Sequence, residues 1–307
     1  MMKNSLSIFN FFFPLLTLFF LLLTTSCSSD DDDDNNNNDD YIVPAHPLIV
    51  NAPFPEGADT LRVLAIGNSF TEDATRYLSA LVDSSSIDRE RIGVYIVTSP
   101  GARFSHWVET ISSDASVEAV CKAGTVPMRS CGTMAEVIGQ NWDVIVIQQA
   151  SDVSYKWETF SVLGEYIPMI LSLCPNKNVC LAYQMPWSHT PDEMPYVMEW
   201  NIKCTRRLTE TYGVDVIIPV GTAVQIARET RLNDSMYLTM DKWHLNRGIG
   251  RYIASCCWYE SIVARCFGTT ILNNTACPKG EYSEADIMLG RECAQQAVLH
   301  PFKYSED

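Results

Sequence analysis

Short apolar runs alternate with helix-length stretches along most of this chain, and this alternation limits its possible folds. The first run, Leu61–Ile66, is rich in β-forming residues and ends at Gly67. Four similar runs follow it: Gly93–Thr98, Trp142–Ile147, Asn178–Tyr183 and Val214–Val220. Strands that alternate with helices form βαβ units, whose parallel sheet is covered by helices on both faces. The sequence therefore predicts an α/β fold, a three-layer α/β/α sandwich with a mostly parallel five-stranded sheet.

Helical spacing of apolar residues and high apolar content predict the segments that cover this sheet. The expected helices are Thr71–Ser84, Trp157–Leu173, Pro195–Tyr212, Gly248–Phe267 and Asp286–Val298. Hydrophobic residues make up 47% of the chain and charged residues 19%, which excludes disorder for most of it and predicts a sizeable core. We expect one domain over residues 60–307.

The N-terminal residues 1–26 are typical of a signal peptide, since Lys3 precedes the apolar run Ile8–Leu23. The run leads into Thr24-Thr25-Ser26-Cys27, which resembles the lipobox of bacterial lipoproteins, although Thr24 stands where a strict lipobox has leucine. This resemblance predicts lipidation of Cys27 and an outer-membrane lipoprotein, exposed at the cell surface in one interpretation. A periplasmic or secreted protein, or an uncleaved anchor, is the alternative.

Residues 27–59 are predicted to be a tether. The tether contains a run of aspartate and asparagine from Asp30 to Asp40, which cannot bury apolar surface, and then a proline-rich segment with few periodic apolar residues, which predicts an extended linker. Its seven aspartates in that run account for nearly half of the net charge of −15, so the rest of the chain is mildly acidic. The sequence has no basic patch that would indicate nucleic-acid binding. We expect the protein to bind the membrane through the lipid on Cys27.

The chain has ten cysteines besides Cys27, an even number that permits disulfides in an exported protein. Cys121 with Cys131 and Cys174 with Cys180 are short-loop candidates, and buried free thiols are the alternative for several of the ten. No cysteine pair has the C-x-x-C spacing of a zinc site, so we expect no metal.

Ser69 is the candidate nucleophile. It follows the first predicted strand in the turn Gly67-Asn68-Ser69, at the start of a predicted helix. The carboxyl ends of strands form the ligand crevice of an open α/β sheet, and backbone N–H groups converge at a helix N-terminus. A serine there can be exposed while its own amide faces a developing oxyanion, although most such serines only cap helices.

His244 is the candidate base, because serine needs a general base near neutral pH. Asp241 precedes it by three residues and can fold back onto the second imidazole nitrogen. A surface Asp-His pair in a polar turn is the alternative interpretation. The Ser69 turn and the Asp241–His244 pair both follow predicted strands, and this shared placement favours the catalytic interpretation.

The two motifs together resemble the SGNH, or GDSL-type, hydrolases. That family has a Gly-Asp-Ser-like turn after its first strand, matched by Gly67-Asn68-Ser69, and an Asp-x-x-His block near the end of the domain, matched by Asp241 and His244. The resemblance covers roughly residues 60–267. It implies a flavodoxin-like SGNH hydrolase fold, a Ser69–His244–Asp241 triad and chemistry without a metal or organic cofactor.

The resemblance also implies an oxyanion hole built by the Ser69 and Gly101 amides, since Gly101 matches the glycine of the second block. The third block departs from the family pattern, because Gln148-Gln149-Ala150-Ser151-Asp152 stands in place of Gly-x-Asn-Asp. A glutamine carboxamide can supply the missing N–H, and we expect Gln148, the first residue past the strand, to do so rather than Gln149. Capping of neighbouring backbone by both glutamines is the alternative.

These features predict a serine ester hydrolase acting on acyl, above all O-acetyl, esters of carbohydrates. The carbohydrate step rests on family resemblance and the expected surface location. Trp107 and Trp187 follow predicted strands and suit either a sugar-binding face or core packing. The alternatives are a lipase, thioesterase or methyl-esterase of the same fold, or a catalytically degenerate glycan-binding lipoprotein.

Overall fold

The computed structural model of the protein describes residues 51–189, 194–214 and 216–304. Within these ranges the strands are β1 (Leu61–Gly67), β2 (Ile92–Thr98), β3 (Ser116–Glu118), β4 (Val120–Gly124), β5 (Cys131–Thr133), β6 (Val144–Ile147), β7 (Cys180–Gln184) and β8 (Val216–Ile218). Six of them form one sheet in the order β4-β2-β1-β6-β7-β8, while β3 and β5 pair separately. Strands β2, β1, β6, β7 and β8 are parallel, and β4 runs antiparallel to β2 at the edge.

The α/β architecture with a mostly parallel sheet is confirmed, and the expected strand number is wrong because the sheet has six strands. The five predicted runs overlap the five parallel strands and differ from them by a few residues at the ends. The sixth, β4, is an edge strand whose residues Val120 and Cys121 are exposed and whose centre is Lys122. A short edge strand buries little of its surface, so it lacks the continuous apolar run that marks a buried parallel strand.

Ten α-helices lie in the described part of the chain: α1 (Ser69–Ala74), α2 (Leu78–Asp83), α3 (Phe104–Ser112), α4 (Met134–Ile138), α5 (Leu163–Leu173), α6 (Met194–Tyr212), α7 (Val220–Arg228), α8 (Ile249–Trp258), α9 (Arg265–Phe267) and α10 (Glu284–Leu299). A π-helical turn, Tyr259–Ala264, joins α8 to α9. The expected helix Thr71–Ser84 is instead two short helices, α1 and α2. The sequence analysis does not predict α3, α4 and α7; α4 has only five residues, and α7 begins at Val220, the last residue of the fifth predicted strand.

Helices cover both faces of the six-stranded sheet because its central parallel strands carry apolar side chains on both faces. On β1, Val63 and Ala65 pack in the layer that holds α1, α2, α7, α8 and α10. Leu64 and Ile66, which alternate with them, pack in the layer that holds α3, α4, α5 and α6. These four side chains are at most 1% exposed. Burial on both sides stabilises a parallel sheet and leaves its carboxyl edge as the place where loops meet.

The prediction that the tether extends to residue 59 is wrong for Asn51 and Phe54, which pack on the domain. Asn51 binds both backbone polar groups of Leu181, donating from Nδ2 to its carbonyl at 2.9 Å and accepting its N–H at 2.8 Å. Phe54 is buried in the core. The signal peptide, Cys27 and the tether up to residue 50 lie outside the described residues. No helix in the described ranges is long and apolar enough to cross a membrane.

The state of the cysteines tests the two disulfides expected from the sequence, Cys121–Cys131 and Cys174–Cys180. Cys121, Cys131 and Cys174 have free thiols in the described part of the chain. The short-loop disulfides are therefore not formed in this structure. Seven of the ten cysteines besides Cys27 are buried, and desolvation raises the pKa of Cys204, for example, to about 12. Buried thiols of this kind act as small apolar side chains in the core.

Candidate active site

The turn after β1 presents Ser69. Asn68 is the N-cap of α1, and its Oδ1 accepts the N–H of Phe70 at 2.9 Å. The Ser69 amide, at the first helical position, donates to no residue that the structure describes. Gly67 is required in this turn, because a Cβ there would collide with Thr71 Oγ1 and lie 2.9 Å from Gln148 Oε1. The cap and the glycine thus place a serine and an unused N–H together at the carboxyl edge of the sheet.

A tight hairpin between α7 and α8 carries His244. Met240 N donates to His244 O at 2.9 Å, and Asn246 N donates to Leu238 O at 2.8 Å. Lys242, at the tip, has a φ of +73°. Such left-handed backbone is uncommon for a residue with a side chain and is held here by the surrounding contacts.

Three side chains form a continuous hydrogen-bonded chain across this edge. His244 Nε2 lies 2.9 Å from Ser69 Oγ, and His244 Nδ1 lies 2.7 Å from Asp241 Oδ2. Ser69 and His244 are 175 positions apart in the sequence. Desolvation raises the pKa of Asp241, but hydrogen bonds from the His244 backbone and ring and from the Trp243 backbone outweigh it and hold that pKa below its usual range. The nucleophile, base and orienting carboxylate predicted from the sequence are therefore in contact.

Gly101 lies in the loop after β2, which is joined to the Ser69 turn. Ser99 N donates to Gly67 O at 3.2 Å, and Asn68 Nδ2 donates to Ala102 O at 3.1 Å. Ala102 N closes a turn on Ser99 O, in which Gly101 has a φ of +65°. The Gly101 amide donates to no residue in the described ranges. Its N–H is thus available in a loop fixed to the candidate nucleophile.

The residues that form this site lie within a region that matches a known protein family. The family described as "Domain of unknown function (DUF4886)" matches residues 62–297, most of the chain. The chain belongs to the DUF4886 family. A search of curated proteins found no match.

Solved structures similar to this DUF4886 protein include a family member from Bacteroides uniformis, with a TM-score of 0.70 and 26% identity over 81% of this chain and 98% of that one. An alpha/beta hydrolase enzyme from the metagenome of Lake Arreo, Spain, has a TM-score of 0.48 and 11% identity, over 70% of this chain and 99% of that one. A catalytic mutant of an acetylxylan esterase from Geobacillus stearothermophilus has a TM-score of 0.45 and 14% identity, over 67% and 96%.

The two glutamines after β6 are buried in the DUF4886 domain and bonded differently. Gln148 Oε1 accepts the Asn68 N–H at 3.2 Å and the Thr71 hydroxyl at 3.0 Å, and its Nε2 donates to Gln149 O. These contacts leave one N–H of the Gln148 carboxamide and hold the turn that carries Ser69. Gln149 Oε1 accepts the N–H groups of Phe104 and Ala150, and its Nε2 donates to Thr159. Gln149 therefore caps α3 and fixes a neighbouring loop.

Aromatic side chains surround the His244 hairpin. Trp187 is buried and stacks on Phe70 with ring centroids 3.9 Å apart, and its Nε1 donates to Trp243 O at 2.9 Å. His189 contacts the Trp243 ring at 4.2 Å between centroids. Trp107 is also buried, so core packing is the role of both tryptophans named from the sequence. Trp243, directly before His244, keeps 45% of its surface exposed.

Sequence reasoning missed two residues at this DUF4886 site, Trp243 and Asp73. Trp243 stands inside the Asp-x-x-His motif, and its position there was the available signal. Asp73 lies four residues after Ser69, one helical turn along α1, and is buried. That spacing places it on the same helix face as Ser69, which the sequence also offered as a signal.

A cavity of about 370 Å³ opens beside the Gly101 loop at the end of β2. Its lining includes Thr98, Ser99, His106 and Glu118, which offer hydroxyl, imidazole and carboxylate groups. No group of three or more potential metal ligands occurs among the described residues.

Proposed function

We propose that this protein is a serine ester hydrolase with Ser69 as nucleophile, His244 as general base and acid, and Asp241 as the carboxylate that orients His244. The observation that carries the proposal is the chain of contacts from Ser69 Oγ to His244 Nε2 at 2.9 Å and from His244 Nδ1 to Asp241 Oδ2 at 2.7 Å. Both distances are within hydrogen-bond reach, as a nucleophile and its base require.

In the proposed reaction, Ser69 Oγ attacks the ester carbonyl carbon while His244 Nε2 takes the hydroxyl proton. The tetrahedral intermediate then loses the alkoxide, which receives that proton from His244, and an acyl-Ser69 ester remains. Water attacks this ester with His244 again as base, releasing the carboxylic acid and restoring Ser69. Asp241 stays ionised throughout and fixes the imidazole through Nδ1.

The oxyanion hole of the proposal consists of the Ser69 and Gly101 amides and the remaining N–H of Gln148. Support comes from the two amides, which donate to no described residue, in loops joined by the Asn68–Ala102 hydrogen bond. The Gln148 carboxamide touches the Asn68 amide in the same turn. In the proposal these three donors bind one oxygen and stabilise its charge as it develops in the transition state, which is the condition for rate enhancement.

The proposed substrate is an acyl ester of a carbohydrate, with O-acetyl groups favoured. The half-exposed Trp243 ring next to His244 offers a flat apolar face to a sugar ring. The cavity beside the Gly101 loop, with its hydroxyl and carboxylate groups, suits sugar hydroxyls. The proposed location, at the outer membrane through a lipid on Cys27, brings the enzyme to surface glycans.

Labelling with a fluorophosphonate probe tests the hydrolase proposal. The wild-type protein is expected to label covalently, and Ser69→Ala is expected to abolish labelling because no other described serine contacts His244. Ser105→Ala is the matched control, since Ser105 also lies in the first turn of a helix but is exposed on α3. A wild type that never labels would favour a glycan-binding protein without catalysis, and a Ser69→Ala variant that still labels would show that Ser69 is not the reactive nucleophile.

Two further measurements test the proposed substrate class and the proposed lipid anchor. Release of acetate from acetylated polysaccharides, against hydrolysis of long-chain, thio- and methyl esters, separates a carbohydrate esterase from a lipase, thioesterase or methyl-esterase. Cys27→Ala is expected to move the protein from the membrane fraction to the soluble fraction. Unchanged membrane association would contradict the proposed anchor.

A further inference from the structure

We infer that Asp73 and Arg251 act as a pair that positions His244 against Ser69, an inference that rests on the proposed function. Asp73 is 4% exposed and lies one turn after Ser69 on α1. Its Oδ2 accepts the N–H of Leu245 at 2.9 Å. The helix that begins with Ser69 therefore holds the residue that directly follows His244.

Arg251 completes the contact from α8. Its Nη2 lies 2.6 Å from Asp73 Oδ1, and its Nε donates to Leu245 O at 3.2 Å. The N–H and the carbonyl of Leu245 are thus bound by the two members of one buried ion pair. The peptide group between His244 and Leu245 is held through its N–H and the next peptide group through its carbonyl, so the pair fixes the backbone on both sides of Leu245 and with it the residue that carries the imidazole.

The charges around Asp73 are Arg251 on α8, His244 in the hairpin, Glu72 on α1 and, from β4, Lys122. Burial raises the pKa of Asp73 to about 6, although Arg251, His244 and the Leu245 N–H lower it. A carboxyl group whose pKa is raised by folding contributes stability that is present below its unfolded pKa and is lost as pH rises through about 6. At neutral pH this contribution is absent, and the ionised carboxylate is bound to Arg251 and to the Leu245 N–H.

Asp73 does not touch the reacting atoms and is a positioning residue. Its negative charge lies near the imidazolium that forms when His244 takes the proton of Ser69. Replacing it by a neutral side chain would leave the positive Arg251 unpaired beside that imidazolium. The charge of Arg251 would then oppose the imidazolium and change the pH profile of the reaction, which a purely structural role would not cause.

The test measures the rate constant of fluorophosphonate labelling between pH 5 and 9 for the full chain. Asp73→Asn is expected to label about 10- to 100-fold more slowly at pH 7, since a misplacement of about 1 Å can reduce a rate a hundredfold. The acid limb of its pH profile is expected to move to lower pH. In the double variant Asp73→Asn with Arg251→Met, both charges are gone, so the limb should return toward the wild-type position while labelling stays slow.

Two more variants complete the design. Arg251→Lys keeps the ion pair but loses the Nε contact with Leu245, so it should label more slowly with an unshifted acid limb, and it serves as the test if Asp73→Asn does not fold. Glu72→Gln, an exposed neighbour on α1, is the matched control and should label normally. Wild-type rates and profiles for the Asp73 and Arg251 variants would overturn the positioning pair alone. A wild type that never labels would instead overturn the proposed function.

Discussion

Asp241 binds His244 twice, through Oδ2 to the ring nitrogen Nδ1 at 2.7 Å and through Oδ1 from the backbone N–H at 2.7 Å. The same carboxylate therefore shapes the hairpin and selects the imidazole tautomer. Asp241 is 45% exposed, so water weakens its electrostatic effect and leaves orientation as its main contribution.

Asp241→Asn is predicted to lower kcat/KM for a p-nitrophenyl ester by about a hundredfold, near the lower end of the range of about 10²- to 10⁴-fold for a general acid–base group. The amide N–H would face Nδ1 and favour the wrong tautomer. Asp152→Asn is the control, because Asp152 has the same 45% exposure and pairs only with Arg103 at the surface. Equal rates for the two variants would contradict the role of Asp241.

Gln148 is predicted to act through its free N–H. Gln148→Ala should lower kcat by about 10²- to 10³-fold, the range found when one oxyanion-hole donor is removed, with a small change in KM. Gln149→Ala, which loses contacts to Phe104 and Thr159, should lower Tm without reducing kcat of the folded protein. A Gln148→Ala enzyme with wild-type kcat would leave the oxyanion hole to the two backbone amides.

Gly67 and Gly101 should respond differently to alanine. At Gly67 a Cβ would collide with Thr71 Oγ1 and displace the Gln148 carboxamide, so Gly67→Ala is expected to remove most activity and lower Tm. At Gly101 a Cβ meets no atom within 4 Å, and only the φ of +65° opposes it. Gly101→Ala should therefore reduce the free energy of unfolding by about 1–2 kcal/mol and retain activity, because its N–H remains. Denaturant melts and ester assays of both variants check this; the reverse order would contradict the geometry.

Trp243 is predicted to bind the sugar part of the substrate. Trp243→Ala should raise KM for an acetylated polysaccharide up to about tenfold, since aromatic stacking contributes about 0.5–1.5 kcal/mol. It should leave p-nitrophenyl acetate hydrolysis nearly unchanged, because that small ester needs no sugar contact. Met288→Ala, an exposed apolar residue on α10, is the control. Equal loss on both substrates would show that Trp243 supports the hairpin instead.

The thiols provide a prediction about stability. In a Cys27→Ala variant, a thiol reagent should modify the exposed Cys121, Cys131 and Cys277 in the native protein and the other seven cysteines only after unfolding. The Tm should not change when a reductant is added, since no disulfide constrains the described part of the chain. A reductant-dependent Tm would indicate disulfides in the exported protein.

The sequence alone determined the five parallel strands and the position of Ser69. A strand that is buried on both faces needs a continuous apolar run such as Leu61–Ile66, so such a strand can be predicted from the sequence. The turn Gly67-Asn68-Ser69 is local chemistry as well, because the glycine and the Asn68 cap act within a few residues. Asp241 and His244 are three residues apart, so their contact could also be predicted from the sequence.

Only the tertiary structure decided what depends on contacts between distant segments. The 2.9 Å contact of Ser69 with His244, the binding of Gln148 to the Asn68 turn and the hold of Asp73 and Arg251 on Leu245 all join different elements. The edge strand β4 also depends on a distant contact, because its hydrogen bonds to β2 form it and no apolar pattern of its own marks it in the sequence. Local patterns report burial and turns, whereas the direction of a side chain across the sheet edge is fixed by packing of the whole domain.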